Sequence, residues 1–207
     1  MNDSSPATVP RKAVTGAGCQ SGKLDRPRAN TAGPADARPT DHPEGRDMTK
    51  FHTTTLLSTD LAAAYDALID EAVTAQKYES LGNTEVTVEA TEQAAGHRIH
   101  ARRKVALDLP GFMTKIMSPT NVYDQVDVWT PAADGHDGTF EIKVEGAPVH
   151  LKGSMTLREV PGGVEYAVDG DVKVTVPFVG GMAGGFAADQ ATKVATEEGA
   201  FLKSRFS

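Results

Sequence analysis

From Val86 to Val176 apolar and polar residues alternate with period two, interrupted only by turns and one short insert. Val86 and Val88 alternate with Glu85, Thr87 and Glu89. After Gly96, the residues Ile99, Ala101, Arg103, Val105 and Leu107 share one parity, and Arg98, His100, Arg102 and Lys104 the other. Val122, Val126 and Val128 fall on one face of the next run, with Tyr123, Gln125, Asp127 and Trp129 on the other, and Pro131 to Gly138 reads as a loop. Phe140–Val144, Val149–Leu157 and Val164–Val176 repeat the pattern, punctuated by Gly146-Ala147-Pro148 and Pro161-Gly162-Gly163. Side chains on a strand point alternately to opposite faces. Runs of this kind with no helix between them predict an antiparallel sheet packed on one face. Gly153 and Gly170, inside strands, predict bends in it.

The period is different on both sides of this block. Phe51–Leu57 reads as a first strand. Ser58 is read as the cap of a helix carrying Leu61, Ala64, Tyr65, Leu68 and Ile69 on one face. A second helical segment runs from about Glu71 to Leu81 and stops at Gly82-Asn83. From about Gly181 the helical period returns, with Met182, Phe186, Val194, Phe201 and Leu202 as the apolar stripe and Ala183, Ala187, Ala191 and Ala195 beside it. Such a helix of roughly 25 residues is about 37 Å long. It can cross a whole sheet, and its alanines let it approach closely. The predicted class is α+β: a curved antiparallel sheet of six or seven strands wrapped around one long C-terminal helix, with two short helices after the first strand.

Residues 1–47 stand apart. They contain no Phe, Tyr or Trp and hold six of the chain's twelve prolines. A segment this poor in apolar side chains cannot offset its chain entropy by burial, which predicts disorder. The composition changes abruptly at Met48, where Thr49-Lys50-Phe51-His52-Thr53 opens the first strand. Two readings follow: a flexible interaction arm, or translation that begins at Met48. Intact-mass measurement of the native protein decides between them, and a chain containing residues 1–47 ends the second. The expected domain is therefore 48–207. It holds 14 of the chain's 21 Lys and Arg and 22 of its 28 Asp and Glu, a balance near −8. That charge disfavours nucleic acid and anionic membrane surfaces as partners. Cys19 is the chain's one cysteine, so neither an intramolecular disulfide nor a cysteine-rich zinc site is expected, in keeping with a cytoplasmic setting. No apolar run is long enough to span a bilayer.

Several short motifs carry a resemblance: Leu109-Pro110-Gly111-Phe112 after the third strand, Trp129 ending the fourth, Gly153 in the sixth, and Val176-Pro177-Phe178-Val179-Gly180-Gly181 before the last helix. With the element order, they resemble the helix-grip fold of the START, polyketide-cyclase and pollen-allergen (SRPBCC) superfamily. They are similar in particular to an actinobacterial family of unknown function within it. An acidic residue that often follows the double glycine there is replaced here by Ala183-Gly184-Gly185. The superfamily includes lipid and hormone carriers, aromatase/cyclases and partner-binding modules, and no catalytic set is common to them.

The resemblance implies a cavity between sheet and helix. The inward parity nominates Phe140, Ile142, Met155, Tyr166 and Phe186 as its lining, together with Val105, Val168 and Val194, and Phe112 and Met113 as its lid. The same side chains would serve equally to fill a core. Arg103 falls on the inward parity, and a buried arginine needs a partner. Asp124, in phase with Val122 and Val126, is one candidate; a ligand carboxylate is another; a bulge turning Arg103 to solvent is the third reading. The stripe of Arg98, His100, Arg102 and Lys104 reads as a solvated strand face, without the aromatics that stack nucleic-acid bases. His97 and His100 point to opposite faces, His136 lies in a turn between Asp134 and Asp137, and no metal or other cofactor is expected. Gly180-Gly181-Met182-Ala183-Gly184-Gly185 lacks the Lys-Ser/Thr pair of a phosphate loop and reads as a turn before a closely packed helix. There is no nucleophile elbow and no catalytic set. The expected function is binding of a hydrophobic small molecule or lipid, with a cyclase- or aromatase-like enzyme and a filled-core interaction module as alternatives.

Overall fold

The computed structural model describes residues 48–177 and 180–207. The expected disordered extension, and Phe178 and Val179 of the motif before the last helix, lie outside the described residues. The order is β1 (Met48–Leu57), α1 (Leu61–Ile69), α2 (Glu71–Ser80), β2 (Thr84–Gln93), β3 (Gly96–Ala106), β4 (Thr120–Ala132), β5 (Gly135–Val144), β6 (Val149–Val160), β7 (Gly163–Val174) and α3 (Gly180–Arg205). The strands form one curved sheet in the order β1-β7-β6-β5-β4-β3-β2, antiparallel throughout. Consecutive strands from β2 to β7 are neighbours, as short turns between alternating runs require. The first strand closes on the last.

Local chemistry sets the element ends. Asp60, not Ser58, caps α1: its carboxylate accepts from the Ala63 N–H at 2.8 Å, and Leu61 is the first helical residue. Asp70 ends α1 and caps α2, accepting from the Val73 N–H at 2.8 Å. The loop expected over 131–138 is a tight hairpin instead, with Pro131 opposite His136 and Trp129 opposite Gly138. Ala133 and Asp134 form the turn, and Gly135, at φ 147°, opens β5. Gly138 leaves room for the Trp129 indole, which a Cβ there would meet at 2.9 Å.

The glycines expected in a turn before the last helix belong to that helix. They seat it. A Cβ on Gly184 would lie 3.0 Å from the Thr49 hydroxyl, and one on Gly199 would lie 2.2 Å from the Thr55 hydroxyl. The α3 backbone thus rests directly on β1. At the other side, Tyr65 of α1 stacks on His136 with ring centroids 3.6 Å apart and meets His97 Nδ1 through its hydroxyl at 3.0 Å. α1 therefore packs on the middle strands, while α3 packs on β1 and β7.

Candidate functional site

A cavity of about 450 Å³ lies between the inner face of the sheet, α2, the β3–β4 connection and α3. That volume is in the range of small-molecule sites. Phe140, Ile142, Met155 and Tyr166 line it from β5, β6 and β7, and Phe186 lines it from α3. Val105, Val168, Val194 and Met113 are also in the wall. Phe112 is not. It packs edge-on against Phe186, with centroids 6.3 Å apart, and so supports a wall residue from behind. The exposed rim residues Ala106 and Asp108 on one side and Lys193 and Glu197 on the other mark the mouth. Among the described residues no helix is long and apolar enough to cross a membrane.

Arg103 also lines the cavity and is only 3 % exposed. Its guanidinium lies over the Tyr78 ring, 3.8 Å from the centroid, with the Tyr123 ring 5.8 Å away. Nη2 donates to Gln125 Oε1 at 2.8 Å. Gln125 Nε2 donates in turn to both oxygens of Asp127, at 2.9 and 3.1 Å. Nε and Nη1 of Arg103 have no hydrogen-bond partner among the described residues. The expected Arg103–Asp124 pair does not form. Asp124 sits opposite Arg102 and meets His100 at 3.3 Å on the outer face.

The reason is the orientation of β4. Its inward residues are Asn121, Tyr123, Gln125, Asp127 and Trp129, and its valines face outward. A strand has two faces, and the one with more apolar area to bury goes inside. Tyr and Trp each bury roughly 150–250 Å², more than the valines opposite them. Trp129 ends only 1 % exposed. Gln125 and Asp127 are carried inward because they lie between two aromatics.

A second polar pair comes from the helices. Lys77 of α2 and Glu198 of α3 meet at 2.9 Å, both nearly buried and both in the cavity wall. The Lys77 ammonium also lies 4.6 Å from the centre of the Tyr78 ring. Burial, the largest single effect on Lys77, would lower its pKa; the Glu198 carboxylate, Tyr78, Tyr166 and Asp127 together outweigh that, so Lys77 titrates above its ordinary value and stays charged. Burial raises the hydroxyls of Tyr78 and Tyr166. Burial also pushes Asp127 up to about 6, against the opposing pull of Lys77 and the Gln125 hydrogen bond. Neither Lys77 nor Glu198 stands out in the amino-acid pattern. Each lies on a helix whose other faces are also polar, and only the crossing of α2 with α3 brings them together.

Asp127 makes a stability prediction. Its folded pKa is above the unfolded value near 3.9, so the folded state holds the proton more tightly. That contribution is fully present below about pH 4 and is lost as pH rises through about 6. Two pKa units correspond to about 3 kcal/mol. Asp127→Asn should remove this loss, so that variant and wild type diverge in urea denaturation as pH rises from about 4.5 to 7.5, with the variant the more stable at the upper end. Parallel pH profiles would show that Asp127 is solvated.

On the outer face, three members of the basic stripe are paired, Arg102 with Glu145 at 2.7 Å, Lys104 with Glu85 at 2.5 Å and His100 with Asp124 at 3.3 Å; Arg102 is exposed and the others half-buried. Surface pairs of this sort contribute roughly 0–1 kcal/mol each. His136, expected in a turn, is instead part of β5, paired with Pro131 and Leu157, and Arg158 reaches the carboxylates of Asp134 and Asp137 beside it. Among the described residues no cluster of three or more His, Cys, Asp or Glu is placed to hold a metal ion.

A family described as "Protein of unknown function (DUF2505)" matches residues 52–205. The chain belongs to that family. No curated protein matches it by sequence. Among solved structures, TTHA0849 from Thermus thermophilus is 12% identical at a TM-score of 0.54, covering 77% of this chain and 100% of its own. The Zhui aromatase/cyclase from Streptomyces sp. R1128 is 10% identical at 0.54, covering 76% and 93%. BexL, a di-domain ARO/CYC from the BE-7585A biosynthetic pathway, is 15% identical at 0.53; the match covers 77% of this chain and 50% of BexL. At these identities the likeness is one of fold, the helix-grip fold.

Proposed function

We propose that this DUF2505 chain binds a hydrophobic small molecule or lipid in the cavity under α3. The observation that carries the reading is the cavity itself, about 450 Å³ with an apolar body and a polar end at Arg103. A filled-core interaction module has no use for such a space. The ligand-contacting residues in this reading are Arg103, Met113, Phe140, Ile142, Met155, Tyr166 and Phe186, with Phe112 acting through Phe186. The absence of cysteine from residues 48–207 fits a cytoplasmic carrier.

One observation favours the enzymatic alternative. Asp127 and Arg103 converge in the cavity, joined through Gln125, and a carboxyl with a pKa of about 6 is suited to proton transfer near neutrality. Cyclase- or aromatase-like chemistry would use that pair. Binding is the simpler reading, because it needs no further group.

Native mass spectrometry of the purified full chain is the test. The expected result is an adduct lost on denaturation, or saturable uptake of a neutral apolar dye such as Nile red, displaced by long-chain alcohols. A protein that shows neither adduct nor saturable uptake does not have an accessible cavity, and the reading falls.

A further inference from the structure

We propose that the occupant is an apolar monocarboxylic acid whose carboxylate sits on Arg103, and that its binding draws a proton onto Asp127. The inference rests on the cavity reading and names the ligand class and the coupling.

The argument begins with what Arg103 lacks. A guanidinium carries five N–H donors, no acceptor, and a charge it does not give up. Here one donor goes to an amide oxygen, that of Gln125, and Nε and Nη1 go to nothing among the described residues. A buried arginine is ordinarily met by a carboxylate, because unpaired burial of charge is costly. The Tyr78 ring beneath it supplies a face and no lone pair in its plane. The open donors therefore call for an acceptor with charge and two oxygens, which the planar fork matches. A carboxylate fits this description and is small enough to leave the rest of the space to an apolar body. That body would meet Met155, Phe140, Val168 and Phe186.

The coupling follows from the other charges in the wall. Asp127 is faced by Lys77 and Tyr78 from α2, Glu198 from α3, Arg103 from β3, Gln125 on its own strand and Tyr166 from β7. Lys77 and Glu198 already neutralise one another in direct contact. Arg103 and Asp127 are the remaining opposite charges, separated by one amide. A ligand anion on Arg103 adds a negative charge beside Asp127 and takes up the cation that favours its ionised form. Asp127, with its raised pKa, is the group able to respond by taking a proton. Gln125 holds it in place while it does.

The test uses the full chain with dodecanoate and 1-dodecanol, matched in length and differing in the head group. Isothermal titration in two buffers of different protonation enthalpy reads affinity and proton uptake together. Dodecanoate should bind at least about tenfold more tightly than dodecanol near pH 7, with up to about one proton taken up per ligand. Its affinity should increase as pH falls from about 8 to 6, by at most about tenfold per unit. Asp127→Asn should bind dodecanoate with no proton uptake and no such pH dependence. Arg103→Met should bind the acid and the alcohol alike, with circular dichroism confirming its fold; the wild-type comparison of the two ligands does not depend on that variant. Equal wild-type affinities for acid and alcohol would overturn the inference and leave the cavity reading standing. If neither ligand binds, both fall. Tighter acid binding with no proton uptake would overturn the coupling.

Discussion

Glu198→Ala is expected to lower the unfolding free energy by about 3–5 kcal/mol, the range for breaking a buried ion pair by removing one partner. The pair qualifies because its side chains are only 9 % and 14 % exposed and meet at 2.9 Å. Removing Glu198 leaves the Lys77 ammonium against Tyr78, with Asp127 as the remaining carboxylate that acts on it. Lys77→Met/Glu198→Leu should recover most of the loss, since an apolar pair of similar volume replaces both charges and orphans neither. The pH dependence separates this account from a packing defect. In Glu198→Ala, burial should depress Lys77 below its unfolded pKa, so the folded state binds fewer protons than the unfolded one and stability rises with pH toward about 10. Denaturation at about pH 6 and about pH 9 should therefore show the single variant recovering at the higher pH relative to the double variant. A Glu198→Ala midpoint within about 1 kcal/mol of wild type at both, on the scale of an exposed pair, would mean that water reaches the pair.

The same pair carries no signal in the amino-acid pattern. The sheet was legible because period-two alternation is a one-dimensional pattern. All seven strands fall on runs rich in alternation or in β-forming residues, and α3 follows from its helical period, although Met182 of the expected stripe is exposed and the helix buries mainly alanines and glycines with Leu202. The apolar wall was legible for the same reason. The polar end was legible only at Arg103, whose parity was fixed by Ile99 and Ala101 on the same strand. On β4 both faces carry apolar residues, three valines against a tyrosine and a tryptophan, and alternation cannot rank them. Buried area can: weighing Trp129 and Tyr123 against the valines turns the strand over, puts Gln125 and Asp127 beside Arg103 and removes Asp124. Lys77 and Glu198 carry no comparable signal. Their meeting depends on how two helices cross above a curved sheet, and that is set by tertiary packing, including the glycines that press α3 onto β1.

Gly153 and Gly170 tie fold to cavity in a way that two substitutions can separate. They sit opposite each other on β6 and β7, and two phenylalanine rings of the cavity wall lie over them, Phe140 and Phe51, with centroids 6.2 Å apart. A Cβ on Gly153 would fall 2.0 Å from the Asp169 carbonyl oxygen and 2.8 Å from the Gly170 Cα. Neither neighbour is a movable side chain, so Gly153→Ala must part the strands. Its cost is expected at about 3 kcal/mol or more, the upper end for overpacking, or about 6–12 °C in Tm for a domain of this size. A Cβ on Gly170 instead meets the Phe51 ring, at 2.2 and 2.4 Å, and Phe140 at 3.0 Å. Those rings border open space and can swing into it, so Gly170→Ala should cost about 1–2 kcal/mol. The displaced ring then occupies part of the cavity. Gly170→Ala should accordingly weaken uptake of Nile red or dodecanol while staying folded, and a smaller ligand such as octanol should lose less affinity than dodecanol. Equal destabilisation by the two alanines, with ligand uptake unchanged in Gly170→Ala, would mean that the Phe51 ring cannot move into the space and that the cavity does not extend over the paired glycines.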